Sequence, residues 1–297
     1  MAKDQIKRII DVTLQADGLM PTGIPGVQLF RATHAVPCAP AVYEPSVIAI
    51  VSGSKEAILD GAHHVYDSHH YLCCPMSMPV KAGTPAASPD NPLLGVYIAL
   101  DNRIMTELAI EMEAVAGPNR PVATADAARG IKFARWDAAF SEALLRLLRL
   151  LDHPTDMAIL GASRLRELHY AILNGDAGHF ARRAFGAGNA IARSIAHVSS
   201  HLSDPISIDD MAAHAGMSRA VFHRKFKEAT TLSPIQFVKS MRLNNAAMKI
   251  ASGAGVNQAA FDVGYVSPSQ FSREFKRMYG QSPKQWAAAT HMPNAVA

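Results

Sequence analysis

The strongest constraint on this chain is an internal repeat in its last third. Ile208, Met211, Ala212, Ala215 and Gly216 recur as Val256, Ala259, Ala260, Val263 and Gly264, each 48 residues on. Phe222, Phe226, Lys227, Ser233, Pro234 and Phe237 recur as Phe271, Phe275, Lys276, Ser282, Pro283 and Trp286, each 49 residues on. The one-residue slip falls after the glycine, where a helix–turn–helix tolerates a change of length. In the first copy Ser207 caps a helix, with Asp210 three residues later in capping-box position. Met211, Ala212 and Ala215 give that helix a small apolar face, and Gly216 can take the positive φ of a residue just past a helix end. Ser218 caps a second helix that buries Phe222 and Phe226. Its outer face then carries Arg219, Ala220, His223, Arg224 and Lys227. In the second copy Gly255 or Asn257 starts the helix and Gly264 ends it. Ser267 caps the next helix, and Pro268 takes its first position, where a missing N–H costs nothing. Phe271 and Phe275 point inward; Ser269, Gln270, Ser272, Arg273 and Lys276 point outward. Such polar side chains can hydrogen-bond base edges, arginine to guanine being the commonest pairing. Between the copies Ser233-Pro234 opens a helix that runs to Ile250 or Ala251 and is closed by Gly253. Some 17 residues span about 26 Å, enough to hold two recognition helices about 34 Å apart, one turn of B-DNA.

Charge agrees with this reading. Residues 190–297 carry 12 Lys and Arg against 6 Asp and Glu, whereas residues 1–189 carry 17 against 19. A basic end on a near-neutral body suits one domain that meets a polyanion and another with a different task. The 297 residues suffice for about two domains. The 49 % apolar content can bury a large core, which excludes wholesale disorder. The longest apolar stretches, residues 47–51 and 93–100, are too short to cross a bilayer, and the N-terminus lacks the pattern of a secretory signal. A cytoplasmic location with no membrane partner is expected. Cys38, Cys73 and Cys74 are too few and too oddly placed for a disulfide scaffold.

The first half changes period midway. Residues 47–51 read as a buried strand and residues 56–59 as the next, with Asp60-Gly61 as a hairpin turn. Residues 63–66, 69–74 and 94–100 fit further strands of a small barrel or sandwich. Helical periodicity then covers residues 102–114, 137–151 and 155–173, the last two as a helical hairpin. Leu144, Leu147, Leu148 and Leu151 share one face, which either packs on its own barrel or pairs across a dimer; periodicity does not separate the two. Residues 186–188, Gly-Ala-Gly, mark the expected domain boundary. Beyond it, residues 189–202 form an amphipathic helix.

The repeated motifs resemble the AraC/XylS family of transcription regulators. The resemblance covers about 100 residues, from Ala190 to Ala289. It rests on Leu202, residues 212–218, residues 222–227, Ser233-Pro234, residues 241–243, residues 259–265, residues 271–276, and Gly280, Ser282, Pro283 and Trp286. It implies base readout by Ala220, His223 and Arg224 in the first helix and by Pro268, Ser269, Gln270 and Arg273 in the second. Ala220 and Pro268 depart in chemistry, since neither side chain donates a hydrogen bond. Arg224 and Arg273 fit bases or phosphates, and Arg242, on the connecting helix, fits a structural ion pair or a phosphate clamp. Residues 43–46, 53–55, 66–72, 78–80 and 98–101 are similar to the effector and dimerisation domain of one AraC branch. The resemblance therefore implies an α+β chain. Residues 1–186 form a cupin-like barrel with helices, and residues 187–297 form an all-α double helix–turn–helix domain. Its implied partners are promoter DNA, a small-molecule effector of unknown identity, a second copy of the chain, and RNA polymerase.

An alternative of another class rests on His63, His64, His69, His70, Cys73 and Cys74, whose spacing suits a zinc or copper site or a redox thiol pair. Against it, neighbouring residues on a strand point to opposite faces, so barrel filling and surface is the preferred reading. No cofactor and no metal is expected. No Ser–His–Asp arrangement, phosphate loop or dinucleotide fingerprint occurs. Glu44 and Asp101 stand as isolated carboxylates, so no enzyme is expected.

Overall fold

The computed structural model describes residues 2–116, 130–186 and 189–289. Helix α1 (Ala2–Thr13) precedes a run of strands: β1 (Gly18–Pro21), β2 (Val27–Ala32), β3 (Val36–Tyr43), β4 (Ser46–Ser52), β5 (Ser54–Leu59), β6 (Ala62–Asp67), β7 (His70–Cys74), β8 (Met78–Thr84) and β9 (Leu93–Ala99). Helix α2 (Asn102–Ala116) and strand β10 (Lys132–Arg135) lead to α3 (Ala138–Leu148), a 3-10 turn (Arg149–Asp152), α4 (Pro154–Asn174) and α5 (Gly178–Phe185). The rest is helical: α6 (Ala190–Ser200), α7 (Ile208–His214), α8 (Arg219–Thr230), α9 (Pro234–Ala251), α10 (Val256–Asp262), α11 (Pro268–Tyr279) and α12 (Pro283–Ala289).

The strands form two antiparallel sheets, one ordered β1-β2-β9-β4-β7-β10 and the other β3-β8-β5-β6. These two antiparallel sheets followed by helices match the α+β, cupin-like first domain expected. Asp60 and Gly61 both take positive φ (49° and 80°) and close the β5–β6 hairpin, as expected of a tight turn. Strand β4 is buried along residues 46–51 because the six-stranded sheet is covered twice. Helices α1 and α3 lie on its outer side, where Tyr71 stacks on Phe140 at 4.3 Å, and the second sheet lies on its inner side. A strand covered on both faces gives a continuous apolar run rather than an alternating one.

The structure decides the leucine face. Leu144, Leu147 and Leu148 are fully buried within the one chain, and Leu151 packs against the same core. That face is filled by the chain itself and is not free to pair with a second copy. Glu44 and Asp101, expected to be isolated, both have partners. Ser77 donates its hydroxyl to Glu44 at 2.5 Å, and Asp101 caps α2 by accepting from the Ile104 N–H at 2.9 Å. The buried His169 accepts from the Asp101 N–H and fixes that cap from α4. Of the expected boundary at 186–188, residues 187 and 188 lie outside the described residues. Three helices, α1, α5 and α12, had no counterpart in the sequence reading. No helix among the described residues is long and apolar enough to cross a membrane.

Candidate nucleic-acid interface

The first motif is α7, a turn and α8. Ser207 accepts from the Asp210 N–H at 3.0 Å and donates its hydroxyl to the Asp210 carboxylate at 2.6 Å, so the cap is reciprocal. Gly216 follows α7 with φ 62°, and the Met217 N–H reaches back to the Ala212 carbonyl, closing the helix end. Ser218 has the extended backbone of a cap, but its side chain makes no capping bond. Phe222 and Phe226 are fully buried, each stabilising the motif by about 1.5–3 kcal/mol. Arg219, Ala220, His223, Arg224 and Lys227 are all exposed. Asp209 lies 3.3 Å from Arg219, and Glu228 lies 3.3 Å from Arg224 across one helical turn.

The second motif repeats this with one extra residue in its turn. Gly255 caps α10, settling the two alternatives in favour of the glycine. Gly264 takes φ 85°, Ser267 accepts from the Gln270 N–H, and Pro268 occupies the first turn of α11. Phe271 and Phe275 are fully buried. Pro268, Ser269, Gln270, Arg273 and Lys276 are exposed, while Ser272 is half-buried and lines a surface hollow of about 500 Å³ with Val256, Gln258 and Lys284. Among the described residues no carboxylate pairs with Arg273, Lys276 or Lys227. Glu274, the acidic residue of α11, is turned inward. Partial burial works against its charge, but hydrogen bonds from Tyr265, Lys239 and Gln270 hold it below the usual carboxylate range. The negative charge nearest the outer face of α11 is thus neutralised from within.

Helix α9 bridges the two motifs over 18 residues, about 27 Å. Phe237 and Met241 join the first motif's core to that of the sheet domain, and Leu243, Ala246, Ala247 and Ile250 belong to a separate core with α10, α11 and α12. Arg242, expected as a structural ion pair or a phosphate clamp, makes hydrogen bonds to backbone carbonyls. Its guanidinium donates to the carbonyls of Leu202 at 3.1 Å and Asp204 at 2.7 Å, tying the end of α6 to α9.

Helix α9 also lies on strands β3 and β8, a contact the sequence reading missed. Asn244, 2 % exposed, donates to the Ala41 and Val80 carbonyls at 2.8 and 2.9 Å. Those two residues face each other across the β3–β8 ladder. Its own carbonyl accepts from the Tyr279 hydroxyl at 2.6 Å, and Lys81 sits 6.0 Å from the Tyr279 ring. One asparagine thereby joins the sheet domain, the bridging helix and α11. The outer faces of α8 and α11 stay open beside this contact.

The histidines and cysteines of the alternative reading are dispersed. Cys73 and Cys74 are fully buried, and burial pushes the Cys73 thiol up to about 12 and Cys74 also upward, away from the thiolate a metal requires. His63 pairs with Glu56 at 2.7 Å, His69 with Asp67 at 3.1 Å, and His64 lies against Phe133. Among the described residues no group of three or more His, Cys, Asp or Glu is placed to hold a metal ion.

Comparisons with known proteins agree with this geometry. The profile of the AraC-type transcriptional regulator N-terminus matches residues 23–180, and that of a helix-turn-helix domain matches residues 211–289. The regulator MtrA of Neisseria gonorrhoeae is 40 % identical over 84 residues, which is 28 % of this chain and 28 % of MtrA. The regulatory protein SoxS of Escherichia coli K12 is 30 % identical over 93 residues, 31 % of this chain and 87 % of SoxS. Both likenesses therefore cover less than a third of this chain. Among solved structures, ToxT of Vibrio cholerae with an unsaturated fatty acid bound superposes with a TM-score of 0.53 at 11 % identity, over 88 % of this chain and 94 % of ToxT. That likeness is one of fold, extending through both domains. Since the N-terminal profile alone spans more than half of the sequence, the chain belongs to the AraC-type transcriptional regulators.

Proposed function

We propose that this protein is a sequence-specific DNA-binding transcription regulator rather than an enzyme, acting in the cytoplasm. Its sheet domain, within residues 1–186, senses a small molecule, and its helical domain, within residues 187–297, reads two successive major grooves. The observation that carries this reading is the pair of exposed, arginine- and lysine-bearing helix faces, α8 and α11, joined through the single helix α9. Arg224, His223 and Ala220 meet bases in one groove, and Arg273, Gln270, Ser269 and Pro268 in the next. Ala220 and Pro268 offer apolar contact of the kind a thymine methyl accepts. Arg219, Lys227, Ser272 and Lys276 hold phosphates, since half or more of protein–DNA hydrogen bonds go to the backbone. Sensing in the first domain is supported by fold: ToxT was crystallised with a fatty acid. The regulator works as a homodimer that contacts RNA polymerase at the promoter. In this reading the buried leucine face of α3 takes no part in the dimer.

The test is selection of bound duplexes from random DNA by the full chain, followed by competition with unrelated sequence. A reproducible site bound at least a hundredfold more tightly than the competitor is expected. Enrichment of no common sequence contradicts the reading.

A further inference from the structure

One acidic side chain on α11 is held in a way that the helix–turn–helix frame does not require. The Glu274 side chain is 17 % exposed, and groups from three places donate to its carboxylate. The Tyr265 hydroxyl, in the turn before α11, reaches Oε2 at 2.8 Å. The Lys239 ammonium, on the bridging helix α9, lies 3.2 Å from Oε1. The Gln270 amide nitrogen, one helical turn earlier on α11, lies 3.4 Å from the same oxygen. A carboxylate only accepts, so the NH2 side of the Gln270 amide is the side that faces it. Tyr265 is buried, whereas Gln270 is exposed on the outer face.

The first motif has none of this. In the repeat, Gln270 and Glu274 correspond to Val221 and Lys225, and Met217 follows Gly216 where Tyr265 follows Gly264. That motif closes around Phe222 and Phe226 with no acid at the matching place on α8. The network therefore belongs to the second motif alone. A negative charge on a helix that meets a polyanion works against binding, and Lys239 offsets it from within. A pair one turn apart between two free side chains imposes little order. Here Glu274 is already fixed by Tyr265 and Lys239, so the Gln270 amide docks on a stationary acceptor. An amide ordered in advance loses less freedom when it meets a base.

We propose that Gln270 reads an adenine in the major groove, and that Glu274 is its positioning residue, setting which side of the amide donates. This rests on the DNA-reading role given to α11 and adds the base it recognises. A glutamine amide carries two N–H groups and one carbonyl oxygen, and Glu274 engages one N–H. The second N–H donates to adenine N7, and the carbonyl accepts from the adenine N6 amino group, the bidentate pairing that glutamine makes with this base. An amide free to turn over offers donor and acceptor in either order. One anchored on a carboxylate offers a single order, and that order matches adenine.

The test compares the full chain with Gln270→Ala, Glu274→Gln and the double variant on the selected site, with each base pair of the half contacted by α11 replaced in turn. At one pair the parent is expected to favour adenine by about tenfold or more. Gln270→Ala should abolish that preference. Glu274→Gln, whose amide can face Gln270 with either its donor or its acceptor, should reduce it severalfold at the same pair and leave the other positions unchanged. In the double variant Glu274→Gln should add no further loss of preference there, because the two residues act as one unit. Placing 7-deazaadenine at that pair removes N7, and should weaken the parent but not Gln270→Ala. A glutamate that serves only the fold would instead lower the melting temperature and weaken every duplex alike. The proposal is overturned by that uniform loss, by a Gln270-dependent pair that favours another base, or by base preferences that survive Gln270→Ala. Tighter binding by Glu274→Gln would also overturn it, since Glu274 would then withhold Gln270 from DNA. Enrichment of no common sequence by the parent chain would count against the regulatory reading instead.

Discussion

Arg224 and Arg273 occupy equivalent places in the repeat, yet they are held differently. Arg224 must leave Glu228 to reach DNA, whereas Arg273 has no competing carboxylate among the described residues. An exposed pair one helical turn apart contributes only about 0.3–0.5 kcal/mol, so both remain available. Replacing Arg273 by alanine is expected to weaken binding to the selected site by about 1–3 kcal/mol and to relax sequence preference at that position. Anisotropy titration against the site and a scrambled duplex measures both, and an equal loss on the two duplexes would reassign Arg273 to a phosphate. Lys55 carries a prediction of a different kind. Burial lowers its folded-state value from 10.5 to about 8. Between those values the unfolded chain binds the extra proton, so this lysine makes stability rise with pH through that window. Buried Cys73 acts oppositely, because its thiol ionises more easily once unfolded. The clean measurement is therefore the difference between the parent and Lys55→Met in urea unfolding. The advantage of Lys55→Met, about 3 kcal/mol below pH 8, should shrink towards pH 10.5; a gap independent of pH would mean that the folded protein leaves Lys55 with its ordinary proton affinity.

At the scale of elements, the two turn glycines are unlike despite their equivalence in sequence. Both have positive φ, but a Cβ on Gly216 meets nothing within 4 Å, while one on Gly264 would sit 2.6 Å from the Leu202 carbonyl oxygen and 2.9 Å from the Arg242 guanidinium. Gly216→Ala should cost about 1–2 kcal/mol of stability from backbone strain alone. Gly264→Ala should cost more than about 3 kcal/mol, since it also breaks the Arg242 clamp. Urea midpoints of the two variants decide the matter, and similar values would contradict the clamp. Both motifs were legible in the sequence because capping residues, turn glycines and paired phenylalanines act over a few residues. Hairpin β5–β6 was legible for the same reason. What escaped reading depends on partners distant in the chain. Asn244 is one polar residue on a mostly apolar helix face, and only the fold brings Ala41 and Val80 to it. Lys55 follows Gly53-Ser54, which breaks the run between two strands, and nothing local signals that its side chain is buried. Helix α1 was missed although Ile6, Ile10 and Leu14 recur at four-residue spacing and are buried.

For the whole molecule, the Asn244 contact makes the helical domain a mechanical extension of the sheet domain. Asn244→Ala leaves two strand carbonyls and the Tyr279 hydroxyl short of a partner, and should lower stability by about 1–3 kcal/mol. Asn245→Ala, which loses only a bond to Met241 one turn away, serves as control and should be close to neutral. Equal effects in the two variants would mean that the domains do not depend on this contact. Binding to DNA draws on the whole basic face, so affinity should fall steeply with salt, with a log–log slope of roughly −3 to −6; a flat plot would contradict a phosphate-bound complex. The most direct measurement is a hydroxyl-radical footprint of the full chain on its selected site, repeated with Arg224→Ala and Arg273→Ala. The expected pattern is two protected segments on one face of the duplex, centred about 10 base pairs apart, with each variant losing protection at a different segment. A single protected segment, or two variants that erase the same one, would contradict a bridge that seats α8 and α11 in neighbouring grooves.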